Sequence, residues 1–252
     1  MQCELARHCV GWGPDMIDFR GYLVSSSIRY FEAYRVIERM HGKPRICDVG
    51  GFWGVWPLTL RELGFDVSMT ESLQYYGDLF EPLFGHIREC GVIIHDHDPF
   101  DENAVLAETF DLITVMAVLE HYPHSLRTFM SNVRSMLRPG GAIYLEVPNI
   151  AYLPKRIKML FGGSPLVPVG EIYRSEVPFI GHHHEFTIGE LRELATLAGL
   201  TIEEEKFFNY SPGEGGAAKS VMRLLAAIPF ALFREAREVI AVVCKEPAAG
   251  HK

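Results

Sequence analysis

The chain has 252 residues, 48% of them apolar and 22% charged, with a formal net charge of −8. That length supports a sizeable core and fits one elaborated domain better than two; with no Lys/Arg run to supply a basic face, the charge excludes an ordinary nucleic-acid binder. The five cysteines are odd in number, irregularly spaced and without a C-x-x-C, which excludes a disulfide framework and fits reduced intracellular thiols.

In chain order, apolar residues first recur at helical spacing from about Ser25 to Met40, at Ile28, Phe31, Ile37 and Met40, and Gly42 stops the pattern. "PRICDVG" reads as a short buried strand and "WPLTLRELG" as a helix with Gly64 in the left-handed stop position. "FDVSMTE" and "CGVIIHD" are the next strands, and "FDLITVMAV" is apolar enough for a central strand of a parallel sheet. "SLRTFMSNVRSML" puts Leu126, Phe129, Met130, Val133 and Leu137 on one helical face. "RPGG" is a turn and "AIYLEVP" a fifth strand. Strand and helix alternate through residues 43–148, which argues for an open parallel sheet with right-handed crossovers and helices on both faces.

After Pro148 the rhythm breaks. Residues 149–185 are rich in Pro, Gly and aromatics and read as an insertion that forms a lid over an acceptor pocket. Lys155, Arg156 and Lys158 within it read as a solvated helix face. "FTIGELRELATLAG" is a helix that opens with a Thr187/Glu190 capping box and ends before Gly199. "LTIEEEKFF" and "EVIAVVC" are strands on either side of an apolar helical region at 217–235. The run 221–233 contains Arg223 and Pro229 and falls short of the roughly 20 residues a membrane span needs. Packing on the sheet or on a second subunit is its stronger reading, ahead of contact with a membrane surface. The start of the chain has no apolar segment of signal-peptide type, so a cytoplasmic monomer or homodimer is expected. The organisation reads as a helical cap over 1–42, a main domain over 43–245 and a tail over 246–252.

Ligands of open parallel sheets sit at the carboxyl ends of strands. "CDVGGFWG", 47–54, lies at such an end, but its glycines lack the G-x-G-x-x-G spacing of a dinucleotide site and the Gly-Lys-Ser/Thr of a P-loop. Glu71 closes the next strand, where a carboxylate can accept both hydroxyls of a ribose. A ligand turn and a plain strand-to-helix turn remain equally good readings of these residues alone.

The ordered set of motifs resembles the class I S-adenosylmethionine-dependent methyltransferases. "DVGGFWG" is similar to their first motif, D/E-x-G-x-G-x-G, with Phe52 in place of the middle glycine. "FDLITVMAVLEHYPHSLRTFMSNVRSMLRPGGAIYLEVPN" resembles the second half of their core, and "PFIGHHHEFTIGELRELATLAGL" the block that follows the insertion in small-molecule members. The resemblance covers about 43–245. It implies a Rossmann-like, seven-stranded, mostly parallel α/β sheet whose last strand is antiparallel. The implied cofactor is S-adenosyl-L-methionine, with S-adenosyl-L-homocysteine as product.

By the same resemblance, Asp48, Gly50, Gly51, Phe52 and Gly54 face the amino-acid end of the cofactor. Glu71 takes the ribose, Ser72, Asp96 and His97 lie near the adenine, and Met116, Ala117 and His121 line the methionine side. Phe52 is expected to turn away from the cofactor, with Gly51 supplying the backbone freedom. No metal is expected, because alternation splits His95, Asp96, His97 and Asp98 between two sides. A hydroxyl or protonated amine acceptor needs a proton sink, and a histidine is the natural one. His182, His121 and His184 are the catalytic candidates; His182 and His184 should point the same way, and anchoring the lid is an equal reading of His182. Asn149, Tyr152, Tyr173 and His183 are the candidates for acceptor binding, and Tyr22 and Tyr30 are further tyrosines for that pocket. The implied function is methylation of a small-molecule acceptor, a hydroxyl of a sugar, glycan precursor or natural product. A lipid or quinone acceptor, or a non-catalytic binding protein, is the alternative.

Overall fold

A computed structural model describes residues 20–76, 78–122, 125–175, 179, 181–210 and 233–247. The apolar region at 221–233 lies almost wholly outside the described residues, as do the first 19 residues and the side chain of Tyr22.

Seven strands form one sheet: β1 (Arg45–Val49), β2 (Asp66–Glu71), β3 (Ile93–Asp96), β4 (Phe110–Met116), β5 (Leu137–Pro148), β6 (Thr201–Phe208) and β7 (Val239–Lys245). Their spatial order is β3-β2-β1-β4-β5-β7-β6. β7 runs antiparallel to both β5 and β6, and the remaining pairs are parallel. The order reverses direction between β1 and β4, so the crevice beyond their carboxyl ends is where a ligand is expected.

Period-2 alternation sorts the strand residues onto two cores. Cys47, Val49, Ile113, Val115, Ile143 and Leu145 join one cluster with α4 (Leu126–Ser135) and α7 (Ile188–Leu197). Ile46, Val67, Met69, Leu112 and Tyr144 join the other with α1 (Arg20–Glu38), α2 (Val55–Glu62) and α3 (Glu81–Glu89). The first helix therefore shares the sheet's own core, through Ala33, Val36 and Ile37. Its buried face is offset from the expected one: Phe31 is exposed, and Arg29 lies on the buried side.

The local signals hold. Thr187 and Glu190 form the capping box of α7, and Gly64 and Gly199 follow their helices at φ 84° and 68°. "RPGG" differs from expectation in one respect. It is drawn into β5, where Leu137 pairs with Phe110 before a register shift, and Gly140 at φ 79° marks the turn inside the strand.

The insertion carries α5 (Leu153–Leu160) and α6 (Val169–Arg174), neither of which has a buried residue. Its two ends meet on one stem. Asn149 and Phe186 form a parallel bridge, and the Ile150 N–H donates to the Phe186 carbonyl at 3.1 Å.

Candidate active site

At the carboxyl ends of β1 and β4 the structure holds a cavity of about 350 Å³, within the roughly 300–1,000 Å³ typical of small-ligand sites. It is lined by Asp48, Gly50, Gly51, Phe52, Met116, Ala117 and His121, all expected from sequence, and by Arg29, Tyr30, Trp53, Val55 and Trp56. Only Tyr30 among the second group had a sequence-based role, and that was in the acceptor pocket.

Asp48 ends β1 in a buried position and accepts a 2.6 Å hydrogen bond from the Thr114 hydroxyl of β4. Burial pushes its carboxyl up to about 7, against which the Thr114 hydrogen bond and Arg29 pull in the other direction. Gly51 is small because of its neighbours. A Cβ there would lie 3.0 Å from Asp48 Oδ2 and 3.1 Å from Met69 Cε. The left-handed backbone falls elsewhere: Phe52 itself adopts φ 43°, and Ala117, after β4, φ 57°. These are the two non-glycine residues of the described chain with positive φ, and both line the cavity. Gly51 therefore supplies space for Asp48 and β2, while Phe52 bears the strained conformation.

The Phe52 ring lies 4.5 Å from that of Trp53 and 6.0 Å from that of Tyr76, in a cluster that continues through Phe80 and Phe84. Its backbone N–H donates to Glu71 Oε1, and the Tyr76 hydroxyl donates to Oε2 at 2.8 Å. Burial raises the Glu71 pKa and these two bonds offset part of the rise. Glu71 does not line the cavity, but each of its oxygens keeps a second lone pair.

Ser72 and Leu73 begin the following turn, and Asp96 Oδ1 accepts the Leu73 N–H at 3.0 Å. Asp96 thus anchors the segment beside Glu71. His97 is buried, its N–H bound to the Glu71 carbonyl at 3.0 Å, and burial lowers its pKa.

Arg29 reaches the cavity from α1 and pairs with Glu146 of β5, both of them buried. The Tyr144 hydroxyl donates to the other Glu146 oxygen at 3.3 Å. Beside the cavity, the short turn Leu119–His121 presents Glu120 and His121. The Glu120 carbonyl accepts the N–H groups of His183, at 2.6 Å, and of His184, at 3.3 Å, which fastens the loop after the insertion onto this turn. The His182 ring consequently packs edge-on against His121, centroids 4.9 Å apart. His182 Nδ1 lies 3.1 Å from Glu185 Oε1, and Lys155 of α5 pairs with the second Glu185 oxygen. Burial pushes the Glu120 carboxyl up to about 7.

Several expected placements need correction. His184 does not share a site with His182: it turns to Glu190 Oε1, 3.1 Å away at the start of α7, because the loop is held by hydrogen bonds and is not regularly extended. His183 bonds the Phe179 carbonyl at 2.9 Å. Neither residue lines the cavity; both border a separate groove against α7. Asn149 is a structural residue: its amide donates to the carbonyls of Glu235 and Arg237 at 2.8 and 2.7 Å, and its oxygen accepts the Ala151 N–H. Tyr173 projects from α6 with 87% of its surface exposed, and Tyr152 precedes α5 half-buried; neither lines the cavity.

The profile of a protein family described as "Methyltransferase domain" matches residues 20–205. The chain is 24% identical over 210 residues to a ubiquinone biosynthesis O-methyltransferase of Haemophilus ducreyi, covering 80% of this chain and 83% of that one. It is 25% identical over 193 residues to a deoxyguanosinetriphosphate triphosphohydrolase-like protein of Bradyrhizobium, of which it spans only about half the length, 48%. Its fold is similar to that of a SAM-dependent methyltransferase from Archaeoglobus fulgidus, with a TM-score of 0.56 at 16% identity, covering 87% of this chain and 94% of that one. With its seven-stranded sheet, the glycine turn after β1 and a profile match across most of its length, the chain belongs to the methyltransferase-domain family, as a class I S-adenosylmethionine-dependent enzyme of Rossmann-like fold.

Proposed function

We propose that this enzyme methylates a hydroxyl of a small-molecule acceptor, a sugar, glycan precursor or natural product. The observation that carries the reading is that Arg29, Asp48 and His121 line one cavity.

The residues present fit S-adenosylmethionine. The bound cofactor would supply a methyl group already activated on a sulfonium, so the protein's work is to bind, orient and exclude water. Asp48, buried with its pKa raised, gains most from a cationic amine beside it. Arg29 has five N–H donors and can serve a carboxylate while still holding Glu146. Glu71 accepts a diol with its spare lone pairs. Trp53, Trp56 and Met116 give the apolar wall that keeps water from the reacting centre. His121, against which the His182 ring packs, lines the same cavity and serves to hold the acceptor hydroxyl.

A specific observation favours a second reading, a lipid or quinone acceptor. Ile157, Met159, Leu160, Phe161, Leu166 and Val169 are all exposed on the insertion, next to Lys155, Arg156 and Lys158. An exposed apolar surface of this extent suits a hydrophobic acceptor or the membrane that carries it. No helix among the described residues is long and apolar enough to cross a membrane.

The test is calorimetry with S-adenosylhomocysteine, followed by a screen of hydroxylated acceptors with methyl-labelled cofactor. Binding that is lost in Glu71→Ala, and label transfer to soluble hydroxylated acceptors, are the expected results. Transfer only to polyprenylated phenols moves the conclusion to the second reading, and no binding by the intact protein removes both.

A further inference from the structure

We propose that Glu120, His121 and His182 form a binding site for a divalent first-row transition ion at the edge of the cofactor cavity. Among the described residues, one donor atom from each of the three lies within 4.8 Å of the others. Ions of this class form bonds of about 2.0–2.1 Å to imidazole and carboxylate, so ligand atoms in a closed tetrahedral site stand about 3.3 Å apart. The donors stand within side-chain rotation of that spacing, on one exposed and one half-buried histidine and a buried carboxylate.

Independent observations point to the same ligand. Glu120 is 1% exposed, and its Oε2 is buried without a hydrogen-bond partner among the described residues. A buried acceptor oxygen left empty is costly, and a cation fills it. The His182 ring is set as metal-bound histidines are set: its Nδ1 faces a carboxylate, Glu185, which leaves Nε2 as the free donor. Lys155 in turn holds Glu185, so the outer partner is itself fixed. The loop is tied to this turn, because the Glu120 carbonyl binds the N–H groups of the two residues after His182.

Two imidazoles and one carboxylate favour zinc, cobalt, manganese or ferrous ion over magnesium or calcium, which prefer oxygen-only shells. Three protein ligands leave a coordination position open, as in catalytic sites. His121 lines the cofactor cavity, so the site stands where an acceptor oxygen would enter. There the ion would bind that oxygen and ease its loss of a proton; this last clause rests on the methyl-transfer reading, whereas cation binding does not. The alternation argument against a metal concerned His95, Asp96, His97 and Asp98; the three donors here come from segments 61 residues apart, at 121 and 182.

The experiment strips the purified full chain with a chelator, reloads it with Zn²⁺ or Co²⁺, and measures bound metal and the visible absorption of Co²⁺. The Glu120→Gln/His182→Ala double variant is compared with the wild type, and His182→Gln serves as a milder change at a half-exposed position. The wild type should hold one more equivalent than either variant, show a Co²⁺ band that both lack, and gain thermal stability with Zn²⁺ where they do not. Equal metal content and equal Co²⁺ spectra in wild type and cooperatively melting His182→Gln would overturn the proposal. Calorimetry with S-adenosylhomocysteine on the same samples separates the two ideas. If the wild type fails to bind it while the metal difference stands, the methyl-transfer reading fails and the cation site survives.

Discussion

The backbone N–H of Phe52 donates to the carboxylate of Glu71, so the turn after β1 and the acid that ends β2 form one unit. Glu71→Ala leaves that N–H and the Tyr76 hydroxyl without their acceptor. The expected cost is about 1–3 kcal/mol of stability by urea denaturation, together with loss of S-adenosylhomocysteine binding. Glu71→Gln keeps an oxygen for Phe52 and should cost less stability, while still weakening the cofactor product at least tenfold by calorimetry. Equal binding by Glu71→Gln and wild type would remove Glu71 from the cofactor site.

Asp48 makes stability and binding depend on pH in opposite ways. Its folded-state carboxyl titrates at about 7, against an ordinary 3.8, because it is buried. The folded protein therefore holds a proton that the unfolded chain has lost across that window, so this residue's contribution to stability falls as pH rises from about 4 to 7 and is flat above. Asp48→Asn removes the effect and should gain on wild type by roughly a few kcal/mol between pH 5 and pH 8. Binding of a cationic amine requires the ionised form. Affinity for S-adenosylhomocysteine should rise about tenfold per unit up to pH 7 and then level. A wild-type affinity that does not vary from pH 5 to pH 8 contradicts this pairing.

Phe52 combines a strained backbone with a packed ring. Left-handed conformation costs a residue with a Cβ roughly 1–2 kcal/mol, and glycine almost nothing. Phe52→Ala keeps the strain and loses the contacts with Trp53 and Tyr76, whereas Phe52→Gly loses the same contacts and relieves the strain. The alanine variant should melt below the glycine variant by about 1 kcal/mol equivalent, the reverse of the usual order. Scanning calorimetry of the two variants decides it.

Arg29 and Glu146 are a buried ion pair, so removing one partner strands the other. Arg29→Met should cost about 3–5 kcal/mol, and Arg29→Met/Glu146→Gln should recover most of it. The double variant should still bind S-adenosylhomocysteine weakly, because the guanidinium on the cavity wall is gone. If affinity returns along with stability, Arg29 serves the fold alone.

The strands, the capping box and the left-handed glycines were legible in the sequence because each is a local pattern: period 2, a box spacing, or a helix end; Asp48, Gly50, Met116 and Ala117, which line one cavity, were singled out by the family resemblance. Arg29 and Trp56 were not, since a helix's periodicity says which face is buried but not what it is buried against. The buried face of α1 runs through Arg29, Ala33 and Ile37 at i, i+4 and i+8, and a lone arginine on such a face was the available signal. The histidines were found as residues but misjudged as a group. Regular alternation put His182 with His184, while hydrogen bonds to the Glu120 carbonyl turned His182 toward His121. Asn149 was read as a pocket residue because it follows a strand end, although carbonyls from the chain before β7 claim its amide.

The bridge between Asn149 and Phe186 has a consequence for how such an enzyme can diversify. The insertion leaves and re-enters the sheet at this pair, and neither α5 nor α6 buries a side chain. Changing the length of the stretch that carries α5 and α6 alters little beyond loop-closure entropy, about 0.6 kcal/mol per doubling. Apart from Lys155, the stretch 153–174 is therefore the replaceable part: its sequence can be rewritten while the sheet and the cavity at its carboxyl ends stay as they are, whereas residues 182–185 are tied to the Glu120 turn and to Lys155.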